Sequence, residues 1–329
     1  MYPFDIKNNI PDGYPLLTKE PQFDPNKDLQ LEKPEKVMSL EDLGYSKDYL
    51  KDLTTNFAFT SPTRILSNKG VEKLYEVLKL LEPFAKSSER IPRMVRGGVY
   101  QSKYLRELCL SKDITKFFSE IANIDLQPHT IPHQLGHINY NPLKKGVNTD
   151  KWHTDTLRYD YVLFATNLER VEGGEFEYFL GTKNQMETLH NNNHKIPKDK
   201  IISLKPPDSG YAIFLHGNMV VHRAKGIDSE GERITLVNGY VAKDLIRNPD
   251  FTNFQESYLT EPKHVGTAEY TKHTAFIAKE HLNKCINDND FSEDKKKYIK
   301  ILSKTSKILN EAVNNIKKAG KSKSKHFGD

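Results

Sequence analysis

Apolar and polar positions divide the 329-residue chain into four stretches. In residues 1–60 the apolar positions, among them Phe4, Leu16, Leu17 and Phe23, are scattered between Pro, Asp and Lys. Prolines at 11, 15, 21, 25 and 34 interrupt any regular ladder, so the stretch reads as an extended N-terminal arm, with a short helix near Leu40 to Leu53. Residues 61–130 change character. Val71, Leu74, Tyr75, Leu78 and Leu81 recur at the spacing of one helical face, after a cap-like Ser67-Asn68 and before Pro83. The same periodicity returns over 102–122 in Leu105, Leu108, Ile114, Phe117, Phe118 and Ile121, with Ser111-Lys112-Asp113 placed to split it into two helices. These read as support helices packed on one face of a sheet.

From 131 to 244 the pattern is β. Short apolar or alternating runs at 134–140, 151–157, 160–168, 174–180, 200–205, 210–216, 219–224 and 233–241 alternate with turn clusters, which predicts a sandwich, jelly roll or barrel. The polar connection 181–199 predicts a long exposed loop of the lid or binding type. Residues 245–329 return to helix, first over 272–286. A second helix is expected to begin at the capping run Ser292-Glu293-Asp294 and to carry Ile299, Leu302, Leu309, Val313 and Ile316 on one face. That stripe needs either the body or a second subunit against it, so a homo-oligomer through the C-terminal helices is one expectation. The end of the chain, Lys317 to Lys325, is basic and of low complexity and reads as a solvated tail. The four stretches form one composite domain: arm 1–60, helical support 61–130, β core 131–244, and C-terminal helices with tail 245–329.

Composition narrows the class. With 36% hydrophobic and 28% charged residues the chain is of globular type, and a net charge of +5 supplies no concentrated basic face for nucleic acid. Two distant cysteines, Cys109 and Cys285, exclude a disulfide framework and favour a reducing compartment. There is no Asn-x-Ser/Thr sequon, no signal-peptide pattern at Met1-Tyr2-Pro3-Phe4-Asp5, and no apolar run near the ~20 residues that span a bilayer. A soluble, cytoplasmic protein with no membrane partner is expected.

The chemistry concentrates at Trp152-His153-Thr154-Asp155. Of 12 histidines only His153 is followed two positions later by an acid. On a strand the two side chains would share a face. Alone the dipeptide is weak, since a histidine bonded to a neighbouring carboxylate explains it equally well. His222, closing two strand-like runs from Gly210, adds the third member of a two-histidine, one-carboxylate set, which leaves open positions on a non-haem Fe(II). After ten intervening residues come Arg233 and Thr235, a guanidinium and a hydroxyl on one strand face, suited to clamp a carboxylate.

With these residues the sequence resembles the Fe(II)/2-oxoglutarate-dependent oxygenase superfamily over 131–242, about a third of the chain. Gly173-Gly174-Glu175-Phe176, Ser209-Gly210-Tyr211-Ala212-Ile213-Phe214 and Ile138-Asn139-Tyr140-Asn141-Pro142 add to the likeness. The resemblance implies an α+β fold with a mainly β core, a double-stranded β-helix (jelly roll) flanked by N- and C-terminal helices. It implies Fe(II) on His153, Asp155 and His222, and 2-oxoglutarate held by Arg233 and Thr235. Asn139, or Tyr140 if the strand phase shifts by one, would touch the co-substrate from the other side. O2 is consumed, and succinate and CO2 are released.

Halogenating relatives carry a small residue where Asp155 stands, so its presence favours hydroxylation. Arg233 argues against the histone-demethylase-like branch, which clamps with lysine, and Gly181-Thr182 matches the Gly-Ser-His of phytanoyl-type enzymes imperfectly. The expected substrate is a small metabolite such as an amino acid, with Arg96, Arg158 and Arg223 as candidate contacts, each equally well explained by a local acidic partner. Tyr100 and Tyr161 are placed near the same mouth. The alternatives are the same chemistry on a protein or nucleic acid, docked through the tail and 181–199, and a catalytically silent jelly-roll binding protein. For His129, His133, His137 and His216 structural hydrogen bonding and further ligation are equally open, and Trp152 reads as core.

Overall fold

Alternation along short antiparallel strands sets the architecture of the computed structural model, which describes residues 2–249, 252–287, 291, 293–321 and 326–329. The strands are β1 (Val37–Ser39), β2 (Phe57–Thr60), β3 (Thr63–Arg64), β4 (Met94–Val95), β5 (Leu126–Pro128), β6 (His137–Tyr140) and β7 (Asp150–His153). They continue with β8 (Tyr159–Phe164), β9 (Phe176–Phe179), β10 (Ile201–Leu204), β11 (Tyr211–Leu215), β12 (His222–Ala224) and β13 (Ile234–Ala242). The larger sheet runs β1-β2-β11-β8-β13-β6-β4, with β3 on β11 and β5 on β13, and the smaller runs β10-β9-β12-β7.

Successive side chains of the central strands take opposite sides. Val162, Phe164, Ile213 and Leu215 of the larger sheet meet Phe176 and Tyr178 of the smaller one in the interior. Tyr159, Tyr161, Leu163, Ala212 and Phe214 face the other way, onto Leu74, Leu78, Leu105 and Phe118. These belong to the helices Asn68–Leu81, Lys103–Cys109 and Lys112–Ala122. Phe118 stacks on Phe214 at 4.4 Å between centroids. The layer order is therefore helices, large sheet, small sheet, with Ser67 and Ser111 capping their helices as their positions in the sequence imply.

Four expectations need correction. The first 60 residues are more than an arm. β2 joins the large sheet beside β11 and buries Phe57, Ala58 and Phe59, a short apolar run that polar surroundings hide. The helix within 40–53 shrinks to Lys47–Leu50, because Leu40 and Leu43 enter the core from a turn. The connection 181–199 is not a loop but contains the helix Lys183–Asn191, capped by a reciprocal Thr182/Gln185 box. With Met186 its one buried residue, it offers almost no apolar period to read.

The fourth concerns the last helix, Lys295–Lys317, which starts from Asp294, Ser292 lying outside the described residues. Ile299, Leu302, Leu309 and Val313 point to solvent, at 60, 54, 43 and 48% exposure. Packing instead uses Thr305 and Ala312, with Ile308 and Ile316 beside them, against the helix Lys263–Ile286 and its neighbours. Small residues allow that close approach, so of the expected stripe Ile316 packs while the other four lie on the exposed face. Of the tail, 322–325 lie outside the described residues. No described helix is long and apolar enough to cross a membrane.

Candidate metal centre

β7 and β12 are neighbours in the small sheet, and their register sets His153 opposite His222. The imidazole centroids are 4.3 Å apart. Asp155 is placed differently from the expectation of one shared strand: β7 ends at His153, and Asp155 lies beyond it, its N–H donating to the Gly217 carbonyl at 2.9 Å. Nδ1 of His153 is 2.6 Å from the Lys151 carbonyl, and Nδ1 of His222 is 3.0 Å from the Val220 carbonyl. A carbonyl only accepts, so both rings carry their proton on Nδ1 when neutral and present Nε2 as a lone pair. Those Nε2 atoms lie 3.2 and 3.3 Å from the two oxygens of Asp155. Three acceptors thus converge within 4.8 Å of one another. Two imidazoles with one carboxylate, converging in this way, form a donor set for a divalent transition metal.

The surroundings sharpen this. Burial pushes His222 down to about 4, and Phe176 stacks on its ring at 5.1 Å. Burial and Arg90 would lower His153 as well, but Asp150, Asp155 and their hydrogen bonding bring it above the ordinary histidine value. Burial tends to raise Asp155, yet His222 and His153 hold it below the usual carboxylate range. Asp160, on β8, is fully buried beside Asp155, and burial followed by the Asp155 charge pushes its carboxyl far above that range. Sequence reasoning missed Asp160, although its place on β8, in phase with Val162 and Phe164, puts it on the interior face.

Gly217 is where both carboxylates need space. A Cβ there would lie 2.4 Å from an Asp160 oxygen and 2.8 Å from an Asp155 oxygen. Gly217→Ala is expected to displace Asp155 and weaken metal uptake about 10-fold or more, a size typical of disturbing a ligand's support, as read by Co(II) titration.

The second constellation sits on the facing strand. Arg233 is fully buried ahead of β13, with Nε donating to the Gly174 carbonyl at 2.8 Å and Nη1 3.4 Å from Thr235 Oγ1. Positive φ at Gly173 and Gly174, +79° and +80°, turns that carbonyl inward. Arg233 Nη2 has no partner in the protein, nor does Asn139 Oδ1, although both are buried. Asn139 faces Thr235 directly across β6 and β13. Tyr140 is excluded from that role, since its hydroxyl turns to the helices and donates to the Leu78 carbonyl at 2.7 Å. A buried guanidinium with an unmatched N–H edge and a hydroxyl beside it fits an anionic carboxylate.

The three arginine candidates for substrate separate. Arg96 lines a cleft that Asp155 also lines, together with Arg90, Gln134, His137 and Glu256. Arg158 does not line it and lies beside Tyr159 and His216, where with burial it lowers His216 to about 3. Arg223 is overturned by strand alternation. It points to the opposite side of the small sheet from His222, with Nε 2.6 Å from Glu177 and its guanidinium 4.8 Å from the Trp152 ring centre. His137 shares the inner face of β6 with Asn139, and its Nε2 is buried in that cleft without a protein partner. His129, His133 and His216 are hydrogen-bonded within the protein. His133, for example, bonds Glu269 at 2.7 Å and Tyr14 at 2.6 Å, tying the N-terminal arm to the helix Lys263–Ile286. Tyr100 belongs to the same cluster through Glu269, and Tyr161 is core. Arg90, Gln134 and Glu256 gave no signal in the sequence, because their cleft is assembled from a loop and a helix far apart in the chain.

The stretch that holds both constellations, residues 85–257, matches the family model described as HalD, Halogenase D. The chain belongs to the Halogenase D family. Among curated proteins none matches it. Solved structures similar to this Halogenase D family member include the non-heme alpha ketoglutarate dependent carbocyclase SnoK from nogalamycin biosynthesis. That structure has 17% identity and a TM-score of 0.42, covering 64% of this chain and 87% of its own. HygX from Streptomyces hygroscopicus, with nickel and 2-oxoglutarate bound, has 13% identity and a TM-score of 0.39, covering 61% and 88%. A Pseudomonas putida prolyl-4-hydroxylase has 13% identity and a TM-score of 0.38, covering 62% and 98%.

Proposed function

We propose that this Halogenase D family member is an Fe(II)- and 2-oxoglutarate-dependent oxygenase on a double-stranded β-helix, hydroxylating a small molecule, an amino acid or similar. The observation that carries the reading is the pairing of two unmet demands in one interior. Three metal-ligating side chains, His153, Asp155 and His222, offer atoms within 4.8 Å of one another, and the facing strand holds the buried, partly unmatched guanidinium of Arg233. Fe(II) with 2-oxoglutarate and O2 supplies the oxidising equivalent, leaving succinate and CO2. Arg233 and Thr235 orient the co-substrate by its distal carboxylate, Asn139 offers it a polar contact, and the apolar interior around Phe164 and Phe176 excludes water.

Hydroxylation, rather than the halogenation in the family's name, follows from Asp155. Its carboxylate occupies the position that a halide would need. The amino-acid reading draws on the cleft beside Asp155, lined by Arg90 and Arg96, where a substrate carboxylate would compete with their pairs to Asp150 at 3.0 Å and Glu261 at 2.8 Å. In the form described the cleft holds about 40 Å³, room for a few waters and not for an amino acid. A wall made by the segment around Ser88–Arg96 or by the helix Phe254–Thr260 must move aside to admit substrate.

Anaerobic addition of Fe(II) and 2-oxoglutarate is expected to give a weak visible charge-transfer band, absent in His153→Ala and Arg233→Ala. Folded wild-type protein that gives no band would sink the oxygenase reading. Succinate release across a panel of amino acids, run with chloride present and followed by mass spectrometry, then decides the substrate and whether oxygen or chlorine is added.

A further inference from the structure

We propose that residues 326–329 act as a strap that positions His153, an inference that rests on the metal-binding reading above. β7 is the end strand of the small sheet and, among the described residues, has only β12 as a strand neighbour. Its four residues carry a metal ligand at their last position, and their register with β12 is irregular between His222 and Ala224. An end strand this short frays unless its free edge is covered.

The chain covers that edge with its own residues. The Trp152 N–H donates to the Gly328 carbonyl at 2.9 Å, and the Phe327 N–H donates to the Trp152 carbonyl at 2.7 Å. The second bond matters most, because the Trp152 carbonyl belongs to the peptide unit whose nitrogen is that of His153. Asn148 adds a side-chain bond to Asp329 at 3.2 Å. Phe327 anchors the segment by packing into the apolar cluster of Trp152, Phe179, Met186 and Val221. Trp152 therefore holds the strap on one side of the strand while His153 faces the metal site on the other. The strap never touches the site. Phe327 is a positioning residue, acting through the Trp152 peptide groups and ring.

Three full-length variants and one shortened chain test this. Phe327→Ala removes the anchor, Phe327→Pro also removes the N–H given to Trp152, and Phe327→Leu keeps an apolar anchor. The fourth lacks residues 326–329. Co(II) is the probe, titrated by its visible spectrum, and hydrogen exchange is followed for residues 150–155 and for the helix Asn68–Leu81.

The alanine, proline and shortened forms are expected to bind Co(II) about 10- to 100-fold more weakly, the range for outer-shell support of a metal ligand. Their exchange should quicken over 150–155 and not in the helix, and Phe327→Leu should restore most of the affinity. Wild type that binds Co(II) while these variants bind it equally well overturns the strap and leaves the metal site standing. Exchange that quickens uniformly overturns it too, since that outcome means general destabilisation. Wild type that takes up no Co(II) overturns the metal reading itself.

Discussion

Asp155→Gly is expected to abolish hydroxylation and, with it, the stabilisation that added metal gives the protein. The two halves of that expectation share one cause. Asp155 sets its two carboxylate oxygens 3.2 and 3.3 Å from the Nε2 atoms of His153 and His222. Glycine keeps the local backbone bond, because the residue lies past the end of β7 and contributes its backbone N–H, not its side chain, to the bond with Gly217. With metal, the same change deletes one of three ligands, a loss larger than the 10- to 100-fold that follows from disturbing mere outer-shell support.

Thermal unfolding checks both parts. Metal present at 100 times its dissociation constant stabilises wild type by about 2.7 kcal/mol, a shift that should vanish in the variant. Succinate release with substrate should fall to background. Full activity in Asp155→Gly would mean that the carboxylate ligand is misassigned, and with it the argument for hydroxylation over halogenation.

How far the sequence could be read follows from how local each feature is. The helices at 68–81, 103–109 and 112–122 announce themselves through apolar period and serine caps, which are local signals. The eight strands of the central region do the same, and the spacing of His153, Asp155, His222, Arg233 and Thr235 survives because each sits on or beside one of them. β2 was hidden, since three apolar residues carry no period, and pairing with β1 on one side and β11 on the other makes them a strand. The last helix misled for the opposite reason: its large apolar residues are periodic, but contact is made where Thr305 and Ala312 are small. The cleft was unreadable in principle. Arg90 and Glu256 are brought together by the fold alone, and Arg223, next to a ligand in sequence, is carried to the other side of the sheet by a single step of strand alternation.

Arg233 offers the sharpest separation between the two constellations. Arg233→Met is expected to leave Co(II) affinity within a few-fold of wild type and to raise the dissociation constant for 2-oxoglutarate at least about 30-fold. Truncating one side of a buried charge-assisted pair costs about 2–5 kcal/mol, and each 1.4 kcal/mol is tenfold. The split arises because Arg233 bonds Gly174 and Thr235 and contacts Phe164, not the triad. Arg233→Lys should fall between, keeping the charge but losing the fork that meets two oxygens.

The pH dependence has a fixed sign. Burial lowers Arg233 to about 10, so the guanidinium stays cationic through neutral pH. Affinity for 2-oxoglutarate should hold level from pH 7 and decline only as pH rises toward 10, where the cation is lost. Titration calorimetry with Co(II) in place of Fe(II) measures all of this without turnover. Wild-type affinity for 2-oxoglutarate in Arg233→Met would remove the co-substrate clamp from the protein's account while leaving its metal site intact.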